Sequence, residues 1–178
     1  MDLLVLGLGN ALCGDDGLGG AVILALERGY DAPPGAQVLD GGTLGLSLLP
    51  FVEEARELIL VDAVRTGDPP GSLVRLRGED VAPAVAQRLS VHQIGVADLL
   101  DAAHWRGRSP QTLVLLGLAP DRLDWGVGLS PAVAEALPRL LDLVLEEARG
   151  LGHEFRAKAL DATPLDSRRD PLAELRWL

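Results

Sequence analysis

The stretch that decides the fold is residues 3–20, LLVLGLGNALCGDDGLGG. Residues 2–8 read as a strand, apolar from Leu3 onward and ended by glycines, the pattern of a strand buried on both faces. Residues 16–29 follow with Leu18, Ala21, Val22, Ala25 and Leu26 at helical spacing. Strand, glycine turn and helix in this order open many nucleotide-binding proteins, but the turn has the wrong chemistry for phosphate. The dinucleotide fingerprint requires a third glycine where Leu12 stands. The P-loop requires Lys and Ser/Thr after the second glycine, where Asp15 and Asp16 stand. Two carboxylates at a helix start occupy the positive end of the dipole and repel an anion. A nucleotide-dependent enzyme with a degenerate fingerprint is therefore the weakest reading. The glycines serve tight turns and close helix packing, and one of the two aspartates is expected to cap the helix.

Working outward, residues 36–40 (AQVLD) read as a short strand and GGTLGLSLLPFV as a turn with a short helix that Pro50 ends. ELILVDAV (57–64) is a buried strand, RTGDPPG a loop, and SLVRLR (72–77) a strand whose short connection predicts an antiparallel edge. Residues 90–103 read as a helix and QTLVLLGLA (111–119) as a last buried strand. The long helix over 130–149 has Ser130 as cap, Pro131 at its first position, and an apolar face of Val133, Leu137, Leu140, Leu141, Val144 and Leu145; Pro138 should kink it. Alternating strands and helices define an α/β fold: one three-layer α/β/α domain over 1–149, with a mostly parallel twisted sheet of about five strands and one antiparallel edge strand. Residues 150–178 lose periodicity and gain charge, which reads as a partly disordered tail or, in PLAELRWL, a short docking helix.

Composition narrows the function. The chain of 178 residues carries a formal net charge of −10, which excludes the basic patch of a nucleic-acid binder. One cysteine, Cys13, excludes an intramolecular disulfide and a Cys-rich zinc module; it could serve as a soft ligand or a nucleophile, but no paired His and acid are visible for it, so small buried filler is the preferred reading. The amino terminus lacks a signal-peptide pattern and no apolar run reaches the roughly 18 residues of a membrane span, so a cytoplasmic protein is expected.

Three aspartates follow three successive strands: Asp16 after the first, Asp40 ending the second, Asp62 ending the third. In a parallel sheet these carboxyl ends share the edge where open α/β sheets bind ligands. Asp62 is the only acid in LILVDAV, and burying a carboxylate there costs several kcal/mol unless it is paired, hydrogen-bonded or on a metal. SVHQ matches a capping box, Ser90 to Gln93, which puts His92 in a first helical turn where the dipole favours neutral imidazole. Asp16, Asp62 and His92 would form an O,O,N site suited to a borderline divalent ion such as zinc or nickel. His104 and His153 are read as surface residues.

These residues resemble the hydrogenase maturation endopeptidase family. Its opening G-x-G-N-x-L-x-x-D-[DE]-x-x-G turn corresponds to GLGNALCGDDGLG (7–19), its D-G-G-T to residues 40–43, its strand ending in aspartate to LILVDAV, its H-Q-x-G to His92–Gly95, and its GLSP-like turn to GLSPAV (128–133). The resemblance spans residues 3 to about 149. It implies a metal-ligand trio of Asp16, Asp62 and His92, with aspartate at a first position that is often glutamate in the family. It also implies that Asp40, Gly41 and Gly42 lie at the substrate cleft. The implied reaction removes a C-terminal extension from a [NiFe] hydrogenase large-subunit precursor once nickel is inserted. Either the trio reads nickel presented by the substrate, or it holds a catalytic ion such as zinc. A non-cutting nickel-sensing or chaperone module of the same fold is the alternative.

Overall fold

The computed structural model describes residues 1–86 and 95–159. In chain order the elements are β1 (Leu3–Leu8), α1 (Leu18–Gly29), β2 (Tyr30–Asp31), β3 (Ala36–Gly42), α2 (Leu49–Glu54), β4 (Glu57–Ala63), β5 (Leu73–Arg77), α3 (Val81–Ala86), α4 (Val96–Trp105), β6 (Thr112–Leu118), α5 (Pro131–Gly150) and β7 (Arg156–Ala157). The main sheet has the order β3-β1-β4-β6-β5. Its first four strands are parallel and β5 is an antiparallel edge strand as expected, although it pairs with β6 rather than with β4, to which the short connection joins it. The chain leaves β1 for one neighbour, β3, and returns past it to the other, β4. The strand order therefore reverses at β1/β4, where open sheets leave a crevice beyond the carboxyl ends.

Alternation along the strands builds two cores. Leu3 and Val5 of β1, Ile59 and Val61 of β4, and Val114 and Leu116 of β6 join the apolar faces of α1 and α5. Leu4 and Leu6, Leu58 and Leu60, and Leu115 join residues of α2, α3 and α4. With both faces covered, every residue of β1 is buried, which explains the unbroken apolar run. The α1 layer lies close. A Cβ on Gly19 would sit 2.3 Å from Leu8 N and 2.6 Å from Val61 O, and one on Gly7 would sit 2.5 Å from Gly19 O. Glycine at both positions lets helix and strand backbones touch.

Several expectations change. Pro50 does not end a helix. It stands in the first turn of α2, where its missing N–H costs nothing. Neither Asp15 nor Asp16 caps α1 through its side chain. Both belong to a 3₁₀ turn, Gly14–Gly17, and Gly17 takes the cap position. Cys13 is half-buried and forms a bridge to Gly126. The helix expected from residue 90 is described as α4 from Val96, with the Gly95 N–H donating to Asp98 Oδ2 at 2.8 Å; Ser90, His92 and Gln93 lie outside the described residues. α5 is capped by Ser130 as expected and runs as one helix through Pro138, which faces solvent. Beyond it the chain folds back. β7 pairs with β2, Phe155 enters the α1/α5 core, and His153, read as a surface residue, is 15% exposed with Nε2 2.8 Å from Glu57 Oε2. His104 is exposed, as read.

Candidate active site

Register places the predicted acids on one edge. Gly7, near the end of β1, pairs with Asp40 of β3 on one side and Val61 of β4 on the other; Asp62 is the next residue and pairs with Gly117 of β6. Asp40 and Asp62 therefore flank the end of β1, their backbones about two strand spacings, roughly 10 Å, apart. The turn that carries Asp16 leaves β1 between them and contacts β4.

Each acid is held differently. Asp62 is 1% exposed, and its Oδ1 accepts the N–H of Ala63 at 2.8 Å. It shares strand parity with Leu58 and Leu60, so it belongs to the sheet face covered by α2, α3 and α4. Asp16 is half-buried, and its Oδ2 accepts the N–H of Asn10 at 2.7 Å across its own turn. Gly9, with φ of 116°, lets the backbone fold back on Asp16: a Cβ there would lie 1.8 Å from Asp16 O. Asp40 is exposed, accepts the N–H of Gly42 at 3.0 Å, and lies against Gly20 at the start of α1. The register slips just after it, Leu8 pairing with Gly42. Gly41 is thus the extra residue of a bulge, buried where a Cβ would strike Leu6 and Leu48. Bulges commonly re-aim side chains beside active sites. The Gly42 carbonyl then accepts the N–H of Gly9 at 3.1 Å, tying the two glycine turns together.

His92 lies outside the described residues, in the segment joining α3 to α4. Among the described residues no group of three or more His, Cys, Asp or Glu converges to hold a metal ion.

The sequence did not disclose how this edge is braced. Asp15, entirely buried, reaches across to the loop between β6 and α5. Its Oδ2 accepts the N–H of Asp121 at 2.8 Å, the N–H of Arg122 at 3.0 Å and the hydroxyl of Ser130 at 2.9 Å; its Oδ1 accepts the N–H of Ser130 at 2.6 Å. Backbone bonds reinforce the contact: Gly14 N–H to Gly126 O at 2.6 Å, Asp15 N–H to Arg122 O at 3.0 Å, and Gly126 N–H to Leu12 O at 2.9 Å. One aspartate of the pair thus anchors the turn and its neighbour remains at the edge. Two adjacent acids in one turn were the available signal. Their division of labour required the tertiary partner.

A doubly covered, mostly parallel sheet with a buried acid beside its switch point is an open α/β scaffold whose ligand edge is acidic. The sequence profile of the hydrogenase maturation protease family matches residues 21–147, and the chain belongs to that family. It is 38% identical over 155 residues to the hydrogenase 2 maturation protease of Escherichia coli K12, covering 86% of this chain and 94% of that protein. It is 40% identical over 154 residues to the hydrogenase expression/formation protein HupD of Rhodobacter capsulatus, covering 85% and 73%. The solved structure of the E. coli hydrogenase maturating endopeptidase HybD superposes with a TM-score of 0.83 at 36% identity over 89% of this chain and 98% of that one. A Thermococcus kodakarensis HycI structure, 21% identical with a TM-score of 0.67, shares the fold. Among the described residues no helix is long and apolar enough to cross a membrane.

Proposed function

We propose that this peptidase acts in the cytoplasm on the large-subunit precursor of a [NiFe] hydrogenase, cutting off a C-terminal extension after nickel insertion. Asp16, Asp62 and His92 recognise the nickel that the substrate presents, and Asp40, Gly41 and Gly42 line the path of the substrate chain. The observation that carries this reading is Asp62: a carboxylate 1% exposed in an apolar strand, at the switch point and beside the turn bearing Asp16. A group so buried is retained where a cation or a partner offsets its desolvation. The α3–α4 segment that bears His92 joins helices packed on the face to which Asp62 belongs.

The donor set fits a borderline divalent ion, because carboxylate oxygens and a neutral imidazole are ligands that zinc and nickel both accept. A resident ion of that kind would supply Lewis acidity toward the scissile carbonyl or a water. The chain's own part is positional. The Asn10 and Ala63 N–H groups fix one oxygen of each carboxylate. The linked turns at Gly9 and Gly42 hold Asp40 beside them.

The test is the intact mass of the large-subunit precursor after incubation with the protein, with and without nickel loading. One discrete C-terminal loss, confined to the loaded sample, is expected. Asp62→Asn should slow that loss by more than about 100-fold while the fold survives, since removing even an indirect partner of a metal ligand costs up to about that much. Normal processing by Asp62→Asn would refute the trio. An unchanged precursor that nevertheless binds would indicate a non-cutting nickel-sensing module.

A further inference from the structure

Six large apolar side chains are exposed among the described residues: Leu12, Leu44, Leu46, Trp105, Trp125 and Val127. Five of them stand on the loops that follow β1, β3 and β6 at their carboxyl ends; only Trp105 lies elsewhere, at the end of α4. Chance exposure would not gather on the edge that carries Asp16, Asp40 and Asp62. Three of the five are also rigidly presented. Leu12, Trp125 and Val127 flank the Cys13–Gly126 bridge, where Gly126 N–H meets Leu12 O and Gly14 N–H meets Gly126 O. Below them Asp15 bolts the two loops together, and the Arg122 guanidinium donates to Gly128 O at 3.1 Å. Trp125 is 79% exposed, Val127 66% and Leu12 51%. A large aromatic group held ready on a stiff support loses little conformational freedom on docking and is the side chain most enriched at binding hot spots.

The charge around the patch identifies what it meets. The segments 9–17, 40–48, 62–72 and 119–130 hold seven aspartates, of which all but the buried Asp15 and Asp62 reach solvent, against two arginines, on a chain of net charge −10. We propose that Leu12, Trp125 and Val127 form the docking surface for the protein substrate, gripping an apolar segment beside the scissile bond whose flanks are positively charged. This rests on the peptidase reading above. The turn that carries Leu12 also carries Asp16. Seating an apolar residue of the substrate on Leu12 and Trp125 therefore sets the register of its chain along the acidic edge. Uniform binding of this kind acts on KM and leaves kcat in place.

The test uses the full chain and the nickel-loaded large-subunit precursor. Cleavage kinetics and direct binding are measured for wild type, Trp125→Ala, Leu12→Ser and Trp105→Ala. The expected result for Trp125→Ala is KM and Kd raised about 30-fold, the loss typical of a hot-spot tryptophan, with kcat within about twofold. Leu12→Ser should move the same two constants, and Trp105→Ala neither. Unfolding midpoints equal to wild type would exclude a folding defect, since the side chains removed are exposed. A wild type that cleaves while Trp125→Ala keeps its KM and Kd would overturn the docking surface and leave the peptidase reading intact. A wild type that neither binds nor cleaves the precursor would overturn both. A wild-type dimer that Trp125→Ala dissociates would reassign the patch to self-association and overturn the proposal.

Discussion

Replacing Asp15 by alanine should destabilise the protein more than its surface-like composition of neighbours suggests. The carboxylate is entirely buried and receives three backbone N–H groups and one hydroxyl. Asp121 and Arg122 are exposed residues, so water can serve their N–H groups once the carboxylate is gone, at about 0.5–1 kcal/mol each. Ser130 is 1% exposed, and its orphaned N–H carries the larger desolvation cost, about 1–3 kcal/mol. The sum is about 2–5 kcal/mol, or a fall in Tm of roughly 10 °C at mid-range for a chain of this size. Equilibrium urea unfolding followed by circular dichroism measures it. Ser130→Ala removes one hydroxyl and the α5 cap and should cost only about 1–2 kcal/mol. Asp15→Asn should cost less than alanine, because its amide oxygen can still accept where Oδ2 stands and only the Ser130 N–H meets the donor NH2 group. A loss below about 1 kcal/mol for Asp15→Ala would refute the claim that this network joins the two loops. A double-mutant cycle with Ser130→Ala showing no coupling would do the same.

Two further substitutions test other parts of the frame. Glu147 of α5 is buried, its Oε1 2.5 Å from Arg77 and its Oε2 2.5 Å from Arg75, while both arginines are about half exposed. Replacing the two arginines together by alanine strands a buried carboxylate and should cost about 3–5 kcal/mol, whereas Glu147→Met should stay within about 1 kcal/mol of wild type in the same urea assay. Gly19→Ala places a Cβ against Leu8 and Val61 backbone and should cost about 3 kcal/mol or more; Gly150→Ala, which meets nothing within 4 Å, should be neutral or slightly stabilising in thermal melts.

The parts legible in sequence were those that depend on short-range pattern. β1 and β4 announced themselves because both faces are covered, and α5 because its Ser-Pro start and apolar stripe agree. The antiparallel direction of β5 followed from a connection too short for a crossover, whereas its partner, β6, comes later in the chain and was not legible there. What pattern could not reach were contacts across the chain. Nothing local distinguishes Asp15 from Asp16. The difference arises because residue 15 points at a loop more than a hundred residues away. The β2–β7 pair has two residues in each strand, too few for periodicity, and Phe155 is an isolated aromatic in a charged stretch whose burial depends on where α5 ends. Pro50 is ambiguous in sequence for a related reason: a proline starts or stops a helix according to which side the apolar contacts lie on, and here it starts one.

The paired aspartates also explain why this turn presents acid at all. In a phosphate-binding turn the backbone N–H groups at the helix start must remain open to an anion. Here the side chain of Asp16 turns back to Asn10, and the preceding residue sinks its carboxylate into the β6–α5 loop. The glycines supply the same sharp return from strand to helix, with Gly9 at φ of 116° and Gly19 against the strand backbone. The turn is thereby bolted to a second loop instead of to a ligand. Where other strand-to-helix turns hold an anion, this one carries two carboxylates on a ledge tied to its neighbour by hydrogen bonds. Such a ledge favours a cation, and its stiffness means that the cation, wherever it comes from, must meet the carboxylates where they already stand. In the reading proposed above, carboxylates held in this way would meet a metal carried in by the substrate without moving toward it, and a precursor with an empty centre would remain weakly held.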